Sequence, residues 1–191
     1  MRFKCIYITI TILFLAREGI SQECPEIKDE KTAVQFLLDH KANSTAANRH
    51  RVDGAFSILG IATAYKNMNY IKFLVGMLDF ERSMPDYVEA SEQKYPAMDV
   101  LHHLNGLGKN VVPYLIKGIK ESDSEVLRAN AAETLYYIYP SKCKAWGKLT
   151  REAEKADIPS DQKIRLEDAA KHIDQDLDPL GPSCEGSYSE P

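Results

Sequence analysis

From residue 30 onward, apolar positions recur at close to every 3.6 residues. No stretch alternates apolar with polar residues between turn signals on both sides. This pattern predicts helices and no strands. Punctuation divides the helical region into eight segments that pair as hairpins. The first pair is 31–42 (KTAVQFLLDHKA) with 46–65, joined by Asn43-Ser44-Thr45, which supplies turn and N-cap chemistry. The second is 68–81 with 94–107, separated by a polar loop containing Ser83, Pro85 and Asp86; Pro96 suits the first turn of the later helix. The third pairs 111–120 with 124–139. The fourth pairs 143–155 with 161–177, and Ile158-Pro159-Ser160 forms the break and cap.

Helices of this length are marginal alone and need a neighbour to cover their apolar stripe. Stacked hairpins supply one, and a recurrence of roughly 30 to 40 residues is the mark of a solenoid. The expected fold is therefore all-α, an α-solenoid of about four antiparallel helical hairpins over 31–177. A linker at 22–30 precedes it, and a flexible tail at 178–191 follows.

An internal register supports repetition. Arg51, Arg128 and Arg165 each stand four residues before an alanine, namely Ala55, Ala132 and Ala169, where a small side chain lets adjacent helices approach closely. The stripe continues as Ala55, Ile58 and Ile61 in the first unit and as Ala132, Leu135 and Ile138 in the third. The second unit carries Ala97, Leu101 and Leu104 with no arginine in register, and in the fourth Ala170, Ile173 and Leu177 take over. Four degenerate copies with an atypical last one fit a capped array.

The stretch 112–138 (VPYLIKGIKESDSEVLRANAAETLYYI) has Pro113 in its first helix, a turn at Asp123 and Val126 with Arg128 opening the second helix. The run Ala131-Ala132, Leu135, Ile138 then follows. These features resemble a HEAT repeat of the short bacterial type also seen in phycobilisome-lyase relatives. The resemblance covers the third unit well, the first moderately and the other two in outline. It implies a right-handed solenoid and a protein-interaction scaffold whose second helices line the concave surface. It places no catalytic residue on this chain.

The N-terminus reads differently. Arg2 and Lys4 precede the apolar run 5–16 (CIYITITILFLA), and Gly19-Ile20-Ser21 puts small residues before a cleavage point at Gln22. Residues 1–21 are expected to be a signal peptide, so the protein is expected to be secreted or periplasmic, with no transmembrane segment after signal cleavage. Cleavage would remove three of the 24 basic residues and one of the 28 acidic ones, taking the formal charge from −4 to −6. Nucleic acid is a poor partner for so acidic a chain, because attraction to phosphates needs clustered Lys and Arg.

Three cysteines remain in what is then an oxidising compartment: Cys24, Cys143 and Cys184. One disulfide and one leftover thiol is the simplest arithmetic. Cys143 with Cys184 is the expected pair, both lying in the terminal unit; Cys24 with Cys184, or no disulfide, are the alternatives. Asn43-Ser44-Thr45 also fits the N-glycosylation pattern, which matters only in a eukaryotic host.

Candidate chemistry is sparse. Asp168, His172 and Asp176 recur every four residues on one helix face, and His102-His103 stand near Asp99, but neither set reaches the convergent ligands a metal needs. No Gly-x-Ser-x-Gly elbow, Gly-rich phosphate loop or His-Glu-x-x-His signature occurs. No metal, cofactor or enzymatic activity is expected.

With Ala132, Leu135 and Ile138 turned to the core, helical geometry places Glu133 and Tyr137 on the opposite face. The expected binding surface comprises Asp53 and Ser57 of the first unit and Asn130, Glu133 and Tyr137 of the third, with Lys171 of the fourth beside them. The expected function is an interaction module that presents this acidic surface to a protein or peptide partner. The alternatives are an enzyme or accessory subunit using an inter-repeat groove for a small molecule, and an envelope-associated spacer.

Overall fold

The computed structural model describes residues 27–42, 45–65, 69–83, 94–104 and 108–184. The expected leader at 1–21, Cys24, Asn43, Ser44 and residues 185–191 lie outside the described residues. Those described form eight α-helices: α1 (Glu30–His40), α2 (Arg49–Ala64), α3 (Asn69–Gly76), α4 (Pro96–His103), α5 (Gly108–Glu121), α6 (Glu125–Ile138), α7 (Lys142–Ala153) and α8 (Ser160–Gln175). A single 3-10 turn, Ala46–Asn48, leads into α2, and there is no strand among the described residues.

The helix starts follow from local chemistry. At α1 the Asp29 carboxylate accepts from the Thr32 backbone N–H at 2.8 Å, while the Thr32 hydroxyl accepts from the Asp29 N–H at 3.2 Å. This reciprocal cap satisfies donors the first turn would leave unpaired. At α6 the Ser124 hydroxyl accepts from the Leu127 N–H at 3.2 Å, and α4 opens on Pro96, which gives up no hydrogen bond there.

Three features differ from the periodicity. The third helix stops at Gly76, five residues before the expected 81, because Met77, Leu78 and Phe80 tighten into turns in which their backbone N–H groups donate to the carbonyls of Leu74, Val75 and Met77. That tightening drives Leu78 and Phe80 inward, and Phe80 meets Phe56 edge-on at 5.4 Å between ring centres. The fifth helix begins at Gly108 rather than 111, so Pro113 lies inside it and one helical hydrogen bond is unmade. Ile61, expected in the core stripe of α2, is 60 % exposed. The stripe runs instead through Val52, Ala55, Phe56, Leu59 and Thr63. Thr63 is hidden at no polar cost, since its hydroxyl donates to the Leu59 carbonyl at 2.7 Å.

Helix α1 packs on α2, α5 on α6 and α7 on α8, while the second helices touch in series, α2 on α4, α4 on α6 and α6 on α8. One apolar cluster is continuous from Ala33 to Ile173. Gly60 permits the α2–α4 approach, since a Cβ there would stand 2.9 Å from the Val100 Cγ1 atom. The alanines of the arginine register are all buried. Their arginines tie the hairpins differently: Arg51 lies over the Phe36 ring of α1 at 4.5 Å. Arg128 donates to the Ser122 carbonyl at 3.0 Å. Arg165 reaches from α8 to the Lys120 carbonyl and the Asp123 carboxylate. The last helix therefore also leans on α5, and no helix of the described residues is long and apolar enough to cross a membrane.

Candidate functional site

The side-by-side arrangement of α2, α4, α6 and α8 brings polar groups into a row that crosses the helices. At the α2 end, Asp53 accepts from the mostly buried Arg82 guanidinium at 2.8 Å, and Ser57 is exposed one turn further on. Asp99 of α4 comes next. Burial pushes its carboxyl above the usual value, and the nearby charges of Arg82 and His103 pull the other way. The His103 Nδ1 atom is 2.6 Å from the Asp99 carbonyl oxygen, its own α4 backbone.

His102 turns towards α6. Its ring centre is 4.5 Å from that of Tyr137, and Tyr136 meets Tyr137 edge-on at 5.3 Å. The His102 Nε2 atom is buried and has no hydrogen-bond partner among the described residues. Burial, with His103 adding to it, lowers the His102 pKa and favours the neutral imidazole. One turn back on α6, burial raises the Glu133 pKa, and His172 of α8 partly offsets this. The Tyr137 phenol is also pushed up, chiefly by burial and then by Glu133 and Tyr136. His172 in turn holds Asp176 at 2.8 Å.

Of the residues the sequence nominated, Glu133 and Tyr137 therefore stand together, with Tyr137 56 % exposed. Asp53 belongs to the far end of the row, engaged with Arg82, and Lys171 is exposed on α8. Asn130 must be withdrawn from the surface. It is only 7 % exposed, and its amide donates to the Leu78 carbonyl at 2.6 Å. The turn that follows α3 lies over this part of α6, so a position one turn before Glu133 is covered. Asn130→Ala leaves that carbonyl unpaired and is expected to cost about 1–2 kcal/mol of unfolding free energy. Urea titration checks this, and an unchanged midpoint would remove the structural role.

His102, Asp99, Arg82 and His172 were not nominated for this surface. The histidines and Asp99 did stand out in the sequence, but as weak metal ligands. Among the described residues, no three His, Cys, Asp or Glu side chains gather to hold a metal ion. Cys143 and Cys184 form a disulfide with their Cα atoms 5.1 Å apart, and residues 178–184 are tied back to α7 and α8 through it.

The row combines an exposed phenol, braced on two sides, with carboxylates raised by burial. Such a surface suits a partner that brings a cation and an apolar or aromatic contact. Comparison with protein-family models, curated proteins and solved structures finds no match to this chain.

Proposed function

We propose that this chain is an exported, HEAT-like right-handed stack of four hairpins, an interaction module that binds a protein or peptide on the face built from its second helices. The carrying observation is Tyr137: exposed, yet held by His102 and Tyr136 and flanked by Glu133. A tyrosine already fixed by neighbours contributes contact area at little entropic cost, which is how interface anchors work. The serial contact of α2, α4, α6 and α8 supports the stacked architecture, and the Cys143–Cys184 disulfide fits an oxidising compartment such as the periplasm or the cell exterior. The formal charge of −4 and the carboxylates Asp53, Asp99 and Glu133 favour a basic partner segment.

The test is a peptide array spanning Lys/Arg-plus-aromatic and Asp/Glu-plus-aromatic sequences, probed with the protein and with Glu133→Lys/Tyr137→Ala. Basic peptides are expected to bind the protein and to lose affinity roughly tenfold or more to the double variant. Binding that ignores both substitutions, or that prefers the acidic peptides, overturns the reading.

A further inference from the structure

A groove on the other side of the stack runs between α5 and α7, with a volume of about 560 Å³, a size that suits a small-molecule site. Its two ends differ in chemistry. The first half of α5 contributes Val112, Pro113 and Ile116, and Tyr139 also lines the groove. Gly108 approaches Ile138 so closely that a Cβ there would be 3.1 Å from the Ile138 Cγ2 atom, which sets the neighbouring Tyr139 beside the start of α5. One to two turns further on, the lining changes to Lys117, Lys120 and Glu121, faced by Lys148 and Glu152 of α7.

The charges in the second half do not cancel. Glu121 is matched by Lys117 at 3.7 Å. Glu152 is held twice, by Lys148 at 3.3 Å and by Lys155 at 2.6 Å. Its burial raises the carboxyl pKa, but hydrogen bonds from Lys155 and Lys148 outweigh that and keep it ionised. Three lysines thus line the groove against two carboxylates, one of which is also matched from outside by Lys155, and Lys120 has no acidic partner among the described residues. A local cationic excess beside an apolar floor is contrary to the net negative charge of the whole chain.

We propose that the α5–α7 groove binds a single-chain anionic amphiphile, with its hydrocarbon along Val112, Pro113 and Ile116 and its carboxylate among Lys117, Lys120 and Lys148. The distance from Val112 to Lys120 along α5 is about 12 Å at 1.5 Å per residue, which matches a medium-length acyl chain. Burial of the chain supplies most of the affinity and the lysines select the head group. This site is separate from the Tyr137 face and does not depend on it.

The test is calorimetry on the full chain with dodecanoate below its micellar concentration, with dodecyl maltoside as the same chain under a neutral head, and with acetate as the head alone. Dodecanoate is expected to bind one to one, dodecyl maltoside roughly tenfold more weakly, and acetate not measurably. Lys120→Ala breaks no ion pair and should leave the thermal melt unchanged, yet weaken dodecanoate roughly tenfold. Lys120→Glu/Lys148→Glu should abolish binding, and Glu133→Lys/Tyr137→Ala should leave it intact. Equal affinity for the two dodecyl compounds overturns the proposal. So does dodecanoate binding that is unaffected by the lysine substitutions, which would place the ligand elsewhere on the chain.

Discussion

Lys142→Met is expected to lower the unfolding free energy by about 3 kcal/mol, the lower edge of the range for a buried ion pair broken from one side. Lys142 begins α7, and its side chain and that of Asp174 are only 6 % and 8 % exposed. The ammonium donates to the carbonyls of Asp174 and Asp178, each at 3.1 Å, and stands 3.4 Å from an Asp174 carboxylate oxygen. It therefore closes the C-terminal end of α8, where carbonyls have no helical partners. Methionine fills similar space but leaves the Asp174 carboxylate and two carbonyls short of a donor. Because the stem still packs, the loss reports the ammonium rather than a cavity. Urea denaturation measures it, and a change under 1 kcal/mol would show that the network carries no net stability.

The same substitution has a pH signature. Burial raises the Asp174 pKa, but hydrogen bonds from the Cys184 N–H, the Ser183 hydroxyl and Lys142 outweigh it and hold the carboxyl below its usual value of 3.8. A depressed folded-state pKa contributes stability that is complete above the unfolded value and is lost as pH falls through the folded one. In the parent protein that loss is confined to pH below about 4. Without Lys142, burial has less to oppose it, so the folded pKa rises and acid unfolding should begin at higher pH. An acid midpoint that does not move would assign the stabilisation to the carbonyl contacts alone.

How much was legible beforehand depended on whether a feature was local. Helicity was legible because the 3.6 period is written in neighbouring residues, and so was the opening of α4 on Pro96. The early end of α3 was not. Met77, Leu78 and Phe80 continue a helical pattern, and only the room beside Phe56 and the amide of Asn130 reveals why the chain turns there. Ile61 illustrates a related limit: two apolar stripes can be drawn on α2, and the approach of α4 at Gly60 decides which is covered.

The same division runs through the candidate site. Glu133 and Tyr137 follow from the geometry of α6 by itself. Asn130 shares that face in the helix but is roofed by a segment more than fifty residues earlier, at Leu78. The stacking of His102 on Tyr137 needs the register of α4 against α6, which no single helix encodes. The groove between α5 and α7 was likewise invisible, since its lysines look like ordinary solvated positions until Tyr139 and α7 stand beside them.

Removing the disulfide is the other large effect expected. Cys143→Ser/Cys184→Ser should lose about 2–4 kcal/mol, and reduction of the parent protein should give a similar loss. The double substitution matters, because a single one would leave a thiol free to pair with Cys24. The two cysteines are 41 residues apart in sequence, and closing a loop of that length removes about 4 kcal/mol of chain entropy from the unfolded state on the entropic model. If this is the whole effect, the loss should add to that of Lys142→Met, because the ammonium acts only in the folded protein. Cys184 has a second role, however: its N–H donates to Asp174 at 3.0 Å, and the disulfide holds it there. Releasing Cys184 then weakens the same carboxylate that Lys142 supports, so the combined loss should fall short of the sum by about 0.5–1 kcal/mol. The unfolded chain without the crosslink is also more expanded, so the denaturant slope should rise. Full additivity would confine the disulfide to the unfolded state, and unfolding curves that coincide with and without it would deny it any stabilising part.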